Sequence, residues 1–275
     1  MDFALGPAAE GHYRLHAFPE IGSTNAAALA AARDGDPGRA WFVTAHQTAG
    51  RGRRGRRWQT PAGNLAASVL LVVDLEPAAA AGLGFVAGLA LDEALRRTAP
   101  SLAVHIALDG AEGGGMAGGR LRLKWPNDLL LDGKKLAGIL LEGERLASGR
   151  FAIVSGIGVN VAAAPANLPY PAASLNQLGI PIDAALLFRA LSEAWARVEK
   201  VWDLGRGFPA IRGLWLDRAA GVGERVTVRI GEATVSGVFE TIDDTGRIVI
   251  QEANGCRRSI AAGEVHFGAL ATVRA

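Results

Sequence analysis

The chain of 275 residues holds a single cysteine, Cys256, two tyrosines and two methionines. One thiol excludes an internal disulfide and any cysteine-rich zinc site. His12, His16, His46, His105 and His266 show no paired ligand spacing, so no protein-built metal site is expected. Uninterrupted apolar runs stop short of the roughly eighteen residues that a membrane-spanning helix needs. The N-terminal stretch MDFALGPAAEGHYR lacks the basic-then-apolar order of a signal peptide, so a cytoplasmic protein is expected. Excess charge is scarce too. Twenty-nine Lys and Arg against 27 Asp and Glu leave a formal +2, and a basic face across the whole molecule is not expected.

What is present suffices for one substantial core plus a smaller satellite, since 49% of the residues are hydrophobic. HYRLHAF reads as a short strand. STNAAALAAARDG follows as a helix, with Ser23 or Thr24 near its N-cap and Gly35 just past its end. AWFVTAH and NLAASVLLVVD are strand-like, AAAAGLGFVAGLALDEALRR looks like one buried helix, and RLRLKW is a further strand. KKLAGILLEG and RFAIVSGIGVNV are near-continuous apolar strands, and IDAALLFRALSEAWARVEKVW is an amphipathic helix with Leu187, Leu191, Ala194 and Val198 three or four apart. After residue 218 the pattern changes to short alternating strands, ERVTVRI, ATVSGVFETI, GRIVIQE and CRRSIAAGEV, with turns at Asp243–Gly246 and Asn254–Gly255. The chain therefore divides into an α+β domain over 1–218 and a small β-barrel over 219–275.

One stretch concentrates the charge. HQTAGRGRRGRRW places Arg51, Arg53, Arg54, Arg56 and Arg57 among three glycines. An unpartnered cluster of this kind repels itself, and no second basic face accompanies it, so neither a plain solvated loop nor a nucleic-acid patch fits well. Gly50 to Gly55 formally matches the dinucleotide fingerprint G-x-G-x-x-G and has Asp74 downstream. The match fails on context, because RRWQTPAGN is too short and too rich in Pro and Gly for the helix such a unit requires. A loop that folds over an anionic ligand remains. Its glycines allow close backbone approach, and its guanidinium groups offer paired contacts to carboxylate and phosphate oxygens.

Three further segments narrow the reading. LKWPNDLLLDGKKLAGILLE joins a strand ending at Trp125, a Pro-Asn-Asp turn and a strand carrying Lys134 and Lys135 inward, so a carboxylate and an ammonium can share one cavity. GIGVN ends an apolar strand at the amide of Asn160, and GSTN sets hydroxyls at a helix start. With QTAGRGRRGRRW, these closely resemble the signature motifs of the biotin protein ligases, from about residue 13 to 268. The resemblance implies a catalytic domain similar to class II aminoacyl-tRNA synthetases followed by an SH3-like barrel. It also implies an enzyme that uses ATP and Mg²⁺ to convert biotin to biotinyl-5′-AMP and then biotinylates a lysine of a biotin carboxyl carrier domain.

By motif, Ser23, Thr24, Asn25, Gln47 and the Arg51–Gly52–Arg53 segment fall on the biotin side, with Gly138 and Ile139 along its aliphatic part. Lys135 matches the lysine that meets the biotin carboxylate and the reacting phosphate. Trp58, Asn127 and Asn160, with Arg53, fall on the adenylate side. Asp128 matches an acid proposed to assist the acceptor lysine or a magnesium ion; a structural partner of Lys124 is its alternative. Arg51, Arg53 and Lys135 would offset charge that grows as two anions meet. Read without the resemblance, Ser23 and Thr24 simply cap a helix, Trp58 and Trp125 are core, Asn160 closes a turn, and strand alternation does not choose between Lys134 and Lys135.

The STN motif at residue 23 leaves no space for the DNA-binding domain that some members carry, so no sequence-specific DNA binding is expected. The glycine-rich insert at 110–119 carries no readable role. Gly268 stands where some members have an arginine directed at the nucleotide. Exposed strand edges leave a homodimer open. A non-catalytic binder of biotin or nucleotide and a lipoate ligase of the same fold are the alternative readings.

Overall fold

Nine consecutive apolar or small residues, LAASVLLVV, form β3 (Leu65–Val73), and eight of them are buried, as expected of a strand covered on both faces. It lies inside a seven-stranded sheet of order β1-β2-β3-β7-β6-β5-β4, where β1 is Arg14–Phe18, β2 Ala40–Thr44, β4 Leu121–Lys124, β5 Asp128–Leu131, β6 Lys134–Arg145 and β7 Phe151–Val159. The structure is a computed structural model and describes residues 1–75, 77–102, 121–166 and 168–267. His105, the 110–119 insert and Gly268 lie outside the described residues. β1 runs parallel to β2, and every other pairing in this sheet is antiparallel.

The two-residue period of β3 divides its side chains between two layers. Leu70 and Val72 meet Ala28, Leu29 and Ala32 of α1 (Thr24–Arg33) on one face. Val69 and Leu71 join the larger core on the other, beneath α3 (Leu83–Thr98) and α4 (Ala184–Trp202). There Trp41 of β2 meets Trp195 of α4 edge to face at 5.7 Å, a geometry that adds roughly 0.5–1.5 kcal/mol to what burial alone provides. Ser23 caps α1 by accepting from Ala26 N at 3.3 Å, and Asp183 caps α4 by accepting from Leu186 N at 2.7 Å.

The C-terminal strands β8 (Arg225–Ile230), β9 (Ala233–Ile242), β10 (Ile248–Glu252), β11 (Arg257–Ile260) and β12 (Glu264–Phe267) form an antiparallel sheet of order β11-β10-β9-β8-β12. The chain crosses to it through Arg218–Ala220, which is fastened to β4. Leu123 N donates to Arg218 O at 2.9 Å, and Ala220 N donates to Leu123 O at 2.7 Å. Among the described residues, no helix is long and apolar enough to cross a membrane.

Four local expectations need correction. The helix read over 78–97 is two helices, α2 (Pro77–Ala80) and α3, with Gly82 at the start of the second packed so close to α4 that a Cβ there would sit 2.7 Å from the Trp202 indole nitrogen. β5 intervenes between the Pro-Asn-Asp turn and the lysine strand, so that β4, β5 and β6 are successive hairpins. CRRSIAAGEV is two strands, β11 and β12, on opposite edges of their sheet. Finally α5 (Phe208–Leu216), whose sequence FPAIRGLWL contains Pro and Gly, was not expected as a helix. The rejection of a dinucleotide unit agrees with the structure: β2 and β3 are antiparallel, and only a three-residue 3₁₀ turn, Arg53–Gly55, lies between them.

Candidate active site

A cavity of about 520 Å³ lies between the β6–β7 face, the excursion that links β2 to β3, the 169–171 segment and β12. Its floor is made of glycines where the two strands pair, Gly138 opposite Gly158 and Leu140 opposite Gly156. Each is small for a local reason. A Cβ on Gly158 would sit 2.5 Å from the Trp58 indole, one on Gly138 would sit 3.1 Å from the same ring, and one on Gly156 would overlap Asn25 Oδ1. Trp58 and Asn25 thus rest directly on the strand backbone.

At one end the wall is built of hydroxyls and amides. Thr24 donates to Gln47 Oε1 from its backbone N at 2.9 Å and from its hydroxyl at 3.2 Å. Ser68 Oγ, on β3, lies 2.7 Å from Thr24 Oγ1 and 2.6 Å from Asn25 Oδ1. Asn25 Nδ2 donates to Glu142 Oε2 at 2.8 Å. Ser23, Thr24, Asn25, Gln47 and Ser68 are all buried, so each hydroxyl or amide left unpaired would carry a desolvation penalty of roughly 1–3 kcal/mol.

The arginine excursion closes over this floor. Gly52 N donates to Arg56 O at 2.7 Å and Trp58 N to Gly50 O at 3.0 Å, which folds the loop back on itself; Arg54 sits in left-handed backbone with φ 58°. Gly50 is required, since a Cβ there would overlap the Trp58 carbonyl oxygen. Arg51 pairs with Glu142 at 3.2 Å. Arg53 donates to Asn127 Oδ1 at 3.1 Å, and Asn127 is itself tied to β6 through Ile139 O at 2.7 Å. Burial, and then the neighbouring Arg54 charge, lowers the pKa of Arg53. Arg56 pairs with Glu264 of β12, and Arg57 donates to Thr48 O at 3.2 Å.

The other end of the cavity is charged. Lys134 is exposed, whereas Lys135 Nζ lies 2.7 Å from Asp128 Oδ1, between the rings of Trp58 at 5.6 Å and Tyr170 at 5.4 Å. Tyr170 is brought there because the following residues run beside β6: Lys135 N donates to Pro171 O at 2.9 Å and Ala173 N to Lys135 O at 3.0 Å. Asp128 stands opposite Lys124 in the β4–β5 register, yet its ion pair is with Lys135. Burial lowers the pKa of Lys124, partly offset by Asp128. Burial and the charges of Lys124 and Arg229 hold His266 below its ordinary 6.5. Among the described residues, no cluster of three or more acidic, histidine or cysteine side chains could hold a metal.

The sequence-derived residues therefore converge, with one exception. Ser23, Thr24, Asn25, Gln47, Arg51, Gly52, Arg53, Trp58, Asn127, Asp128, Lys135 and Gly138 all line the cavity. Asn160 does not; it is buried just past β7 and donates from Nδ2 to Ala173 O at 3.1 Å, holding the segment beside Lys135. Trp125 is both core and cavity wall, with its indole N–H donated to Gly246 O at 3.0 Å. Sequence reasoning missed Ser68, Glu142, Tyr170, Glu264 and His266. Of these, Ser68 left a trace as the one polar residue inside LAASVLLVV, and Glu142 ends the motif LKWPNDLLLDGKKLAGILLE without being singled out by it.

Such a cavity suits an elongated ligand with an uncharged hydrogen-bonding head, an apolar middle beside the indole that packs on the glycines, and anionic groups at the far end. Comparison with known proteins bears on that shape. Residues 25–160 match the model of the Biotin/lipoate A/B protein ligase family, and 221–268 match the Biotin protein ligase C terminal domain. The Biotin--[acetyl-CoA-carboxylase] ligase of Paracoccus denitrificans is 42% identical over 255 residues, covering 90% of this chain and 97% of that protein. The enzyme of the same name from Mycobacterium tuberculosis is 36% identical over 267 residues, covering 94% and 90%. In fold, the chain is similar to the biotin protein ligase from Aquifex aeolicus in complex with biotin and ATP, with a TM-score of 0.70, 24% identity and coverage of 92% and 97%. On these matches the chain belongs to the biotin protein ligase family.

Proposed function

We propose that the protein condenses biotin with ATP to biotinyl-5′-AMP and then transfers the biotinyl group to one lysine of a biotin carboxyl carrier domain, such as that of acetyl-CoA carboxylase. The observation that carries this reading is the polarity of the cavity: a neutral polar end, a glycine floor and a cationic end, in that order. Biotin has the matching sequence of groups, a ureido ring, an aliphatic chain and a carboxylate. Relatives named as biotin–[acetyl-CoA-carboxylase] ligases support it.

In this reading Ser23, Thr24, Asn25 and Gln47 receive the ureido ring, which must be hydrogen-bonded once desolvated. Gly138 and Ile139 line the aliphatic chain, and Trp58, seated on the Gly138–Gly158 backbone, packs on the adenylate side. In the first step a biotin carboxylate oxygen bonds to the α-phosphorus while the bond to the departing pyrophosphate breaks. Two anions must approach each other, and Lys135, Arg51 and Arg53 supply the opposing charge. Asn127 orients Arg53, and Asn160 acts on the adenylate side through the 173 segment that it holds. In the second step the acceptor amine bonds to the biotinyl carbonyl carbon, AMP leaves, and a proton is lost from nitrogen. Asp128 is the carboxylate placed to take or orient that proton once Lys135 has turned to the ligand.

Magnesium fits as a companion of ATP, held chiefly by phosphates with the Asp128 carboxylate beside Lys135 as a protein ligand, and it would offset phosphate charge. We assign the class II synthetase-like and SH3-like descriptions to the two sheets, and the division at 218–219 to the crossing at Arg218–Ala220, on the strength of the strand patterns. The test is direct. Protein, ATP, Mg²⁺, biotin and an apo carrier domain are incubated and followed by mass spectrometry; a carrier heavier by one biotinyl group is expected. Neither adenylate nor modified carrier would leave a binding protein, and a lipoyl adduct would change the substrate.

A further inference from the structure

The arginine excursion is held at its two ends by carboxylates from two different sheets. Arg51 pairs with Glu142 on β6, and Arg56 pairs with Glu264 on β12. The second attachment is the unusual one, because it crosses from the seven-stranded sheet's loop to the C-terminal sheet. Glu264 is placed for it by its own strand pairing. It stands opposite Arg229 in the β12–β8 register, and Arg229 Nη2 bonds its Oε2 at 2.9 Å, which leaves Oε1 for Arg56. Its side chain is 23% exposed while that of Arg56 is 57% exposed, so the carboxylate is the fixed partner and the arginine the one that swings.

From Arg56 the restraint passes inward through backbone. Arg56 O accepts from Gly52 N at 2.7 Å, and Arg56 N donates to Arg53 O at 3.3 Å. These two bonds close the turn that carries Arg53, whose guanidinium reaches Asn127. With glycine at 52 and 55 and left-handed backbone at Arg54, the turn has little stiffness of its own. We infer that Glu264 is a positioning residue: through Arg56 it latches the arginine loop over the cavity, and so the C-terminal sheet governs how long the ligand beneath stays. The ligand part of this inference rests on the proposed biotin-adenylating activity; the latch itself does not.

The experiment separates the two. Ligand-free protein is treated with dilute trypsin, and cleavage after Arg54 is followed by mass, since cleavage of a native loop tracks the population of its open form. Glu264→Gln and Arg56→Gln should each speed that cleavage by about three- to tenfold, the range for losing a charge-assisted bond at a partly exposed site. The double variant should be no faster than either single one, Arg56→Lys should recover most of the protection, and the thermal midpoint should hold. Preloaded biotinyl-5′-AMP should leave Glu264→Gln faster by a similar factor, with KM raised and kcat little changed. Equal cleavage in wild type and Glu264→Gln, or additive effects in the double variant, overturns the latch. Faster cleavage from a protein that forms no adenylate would uphold the latch and sink the proposed activity.

Discussion

The polar wall and the arginine loop face the same cavity and are built on opposite terms. Ser23, Thr24, Asn25, Gln47 and Ser68 are buried and neutral, Ser23 holding the helix start and the other four bonded to one another from helix, strand and loop, so the wall is complete before any ligand arrives. The arginines carry charge, sit on a loop whose helical part is only the Arg53–Gly55 turn, and are secured through Glu142, Asn127 and Glu264 at their outer ends. A wall of the first kind supplies shape and selectivity, because an unpaired group there is expensive. A loop of the second kind supplies charge that can be redirected, because exposed ion pairs are worth little individually.

Breaking the charged side should therefore damage the reaction while sparing the fold. Lys135→Met is expected to lower the rate of adenylate formation by roughly 10²–10³, the usual consequence of deleting one preorganised group aimed at developing charge. Single-turnover kinetics with biotin and ATP measure it, and an unchanged rate would remove Lys135 from its role. Arg53→Ala comes next. Loss of its charged contacts should speed release of biotinyl-5′-AMP by about ten- to a hundredfold, equivalent to 1.5–3 kcal/mol, while the unfolding free energy moves by no more than about 0.5 kcal/mol.

The polar side should respond the other way, with stability and biotin affinity falling together. In Gly156→Ala the new Cβ overlaps Asn25 Oδ1 and pushes Asn25 off Ser68 and Glu142. About 1–3 kcal/mol of stability and about a tenfold loss of biotin affinity are expected, by thermal unfolding and calorimetric titration. If affinity falls with stability untouched, the wall is not preformed, and the contrast with the loop disappears.

The same contrast explains what could be read from sequence. A helix start at Ser23 or Thr24, the β3 and β7 runs and the strands β8 to β10 follow from local period and turn residues, and the GSTN, QTAGRGRRGRRW, KWPND and KLAGIL motifs together gather the cavity residues. The ion pairs that secure the loop were not legible, because Glu142 and Glu264 are far from Arg51 and Arg56 along the chain and nothing local tells which arginine each carboxylate meets. β5 is only DLLL, too short to show alternation, and α5 hides behind Pro209 and Gly213. Asn160 marks the limit of a motif: its position in GIGVN was clear, but its side chain turns to Ala173 rather than into the cavity.

The smallest expected effect lies on the C-terminal wall, where His266 is the one histidine lining the cavity among the described residues. Its folded pKa is below 6.5, first through burial and then through Lys124 and Arg229, with Glu264 opposing. On acidification the unfolded chain takes up this proton before the folded protein does, so the group's contribution to stability is complete above 6.5 and is lost as pH falls through the depressed value. His266→Gln should therefore flatten part of the fall in thermal midpoint as the pH drops below about 6.5, by a small amount because the ring is only partly enclosed. The hydroxyl and amide wall does not titrate in that range, and the loop arginines stay charged throughout it. Parallel midpoint curves for wild type and variant would place the acid sensitivity elsewhere, whereas converging curves would assign it to the C-terminal sheet's side of the cavity.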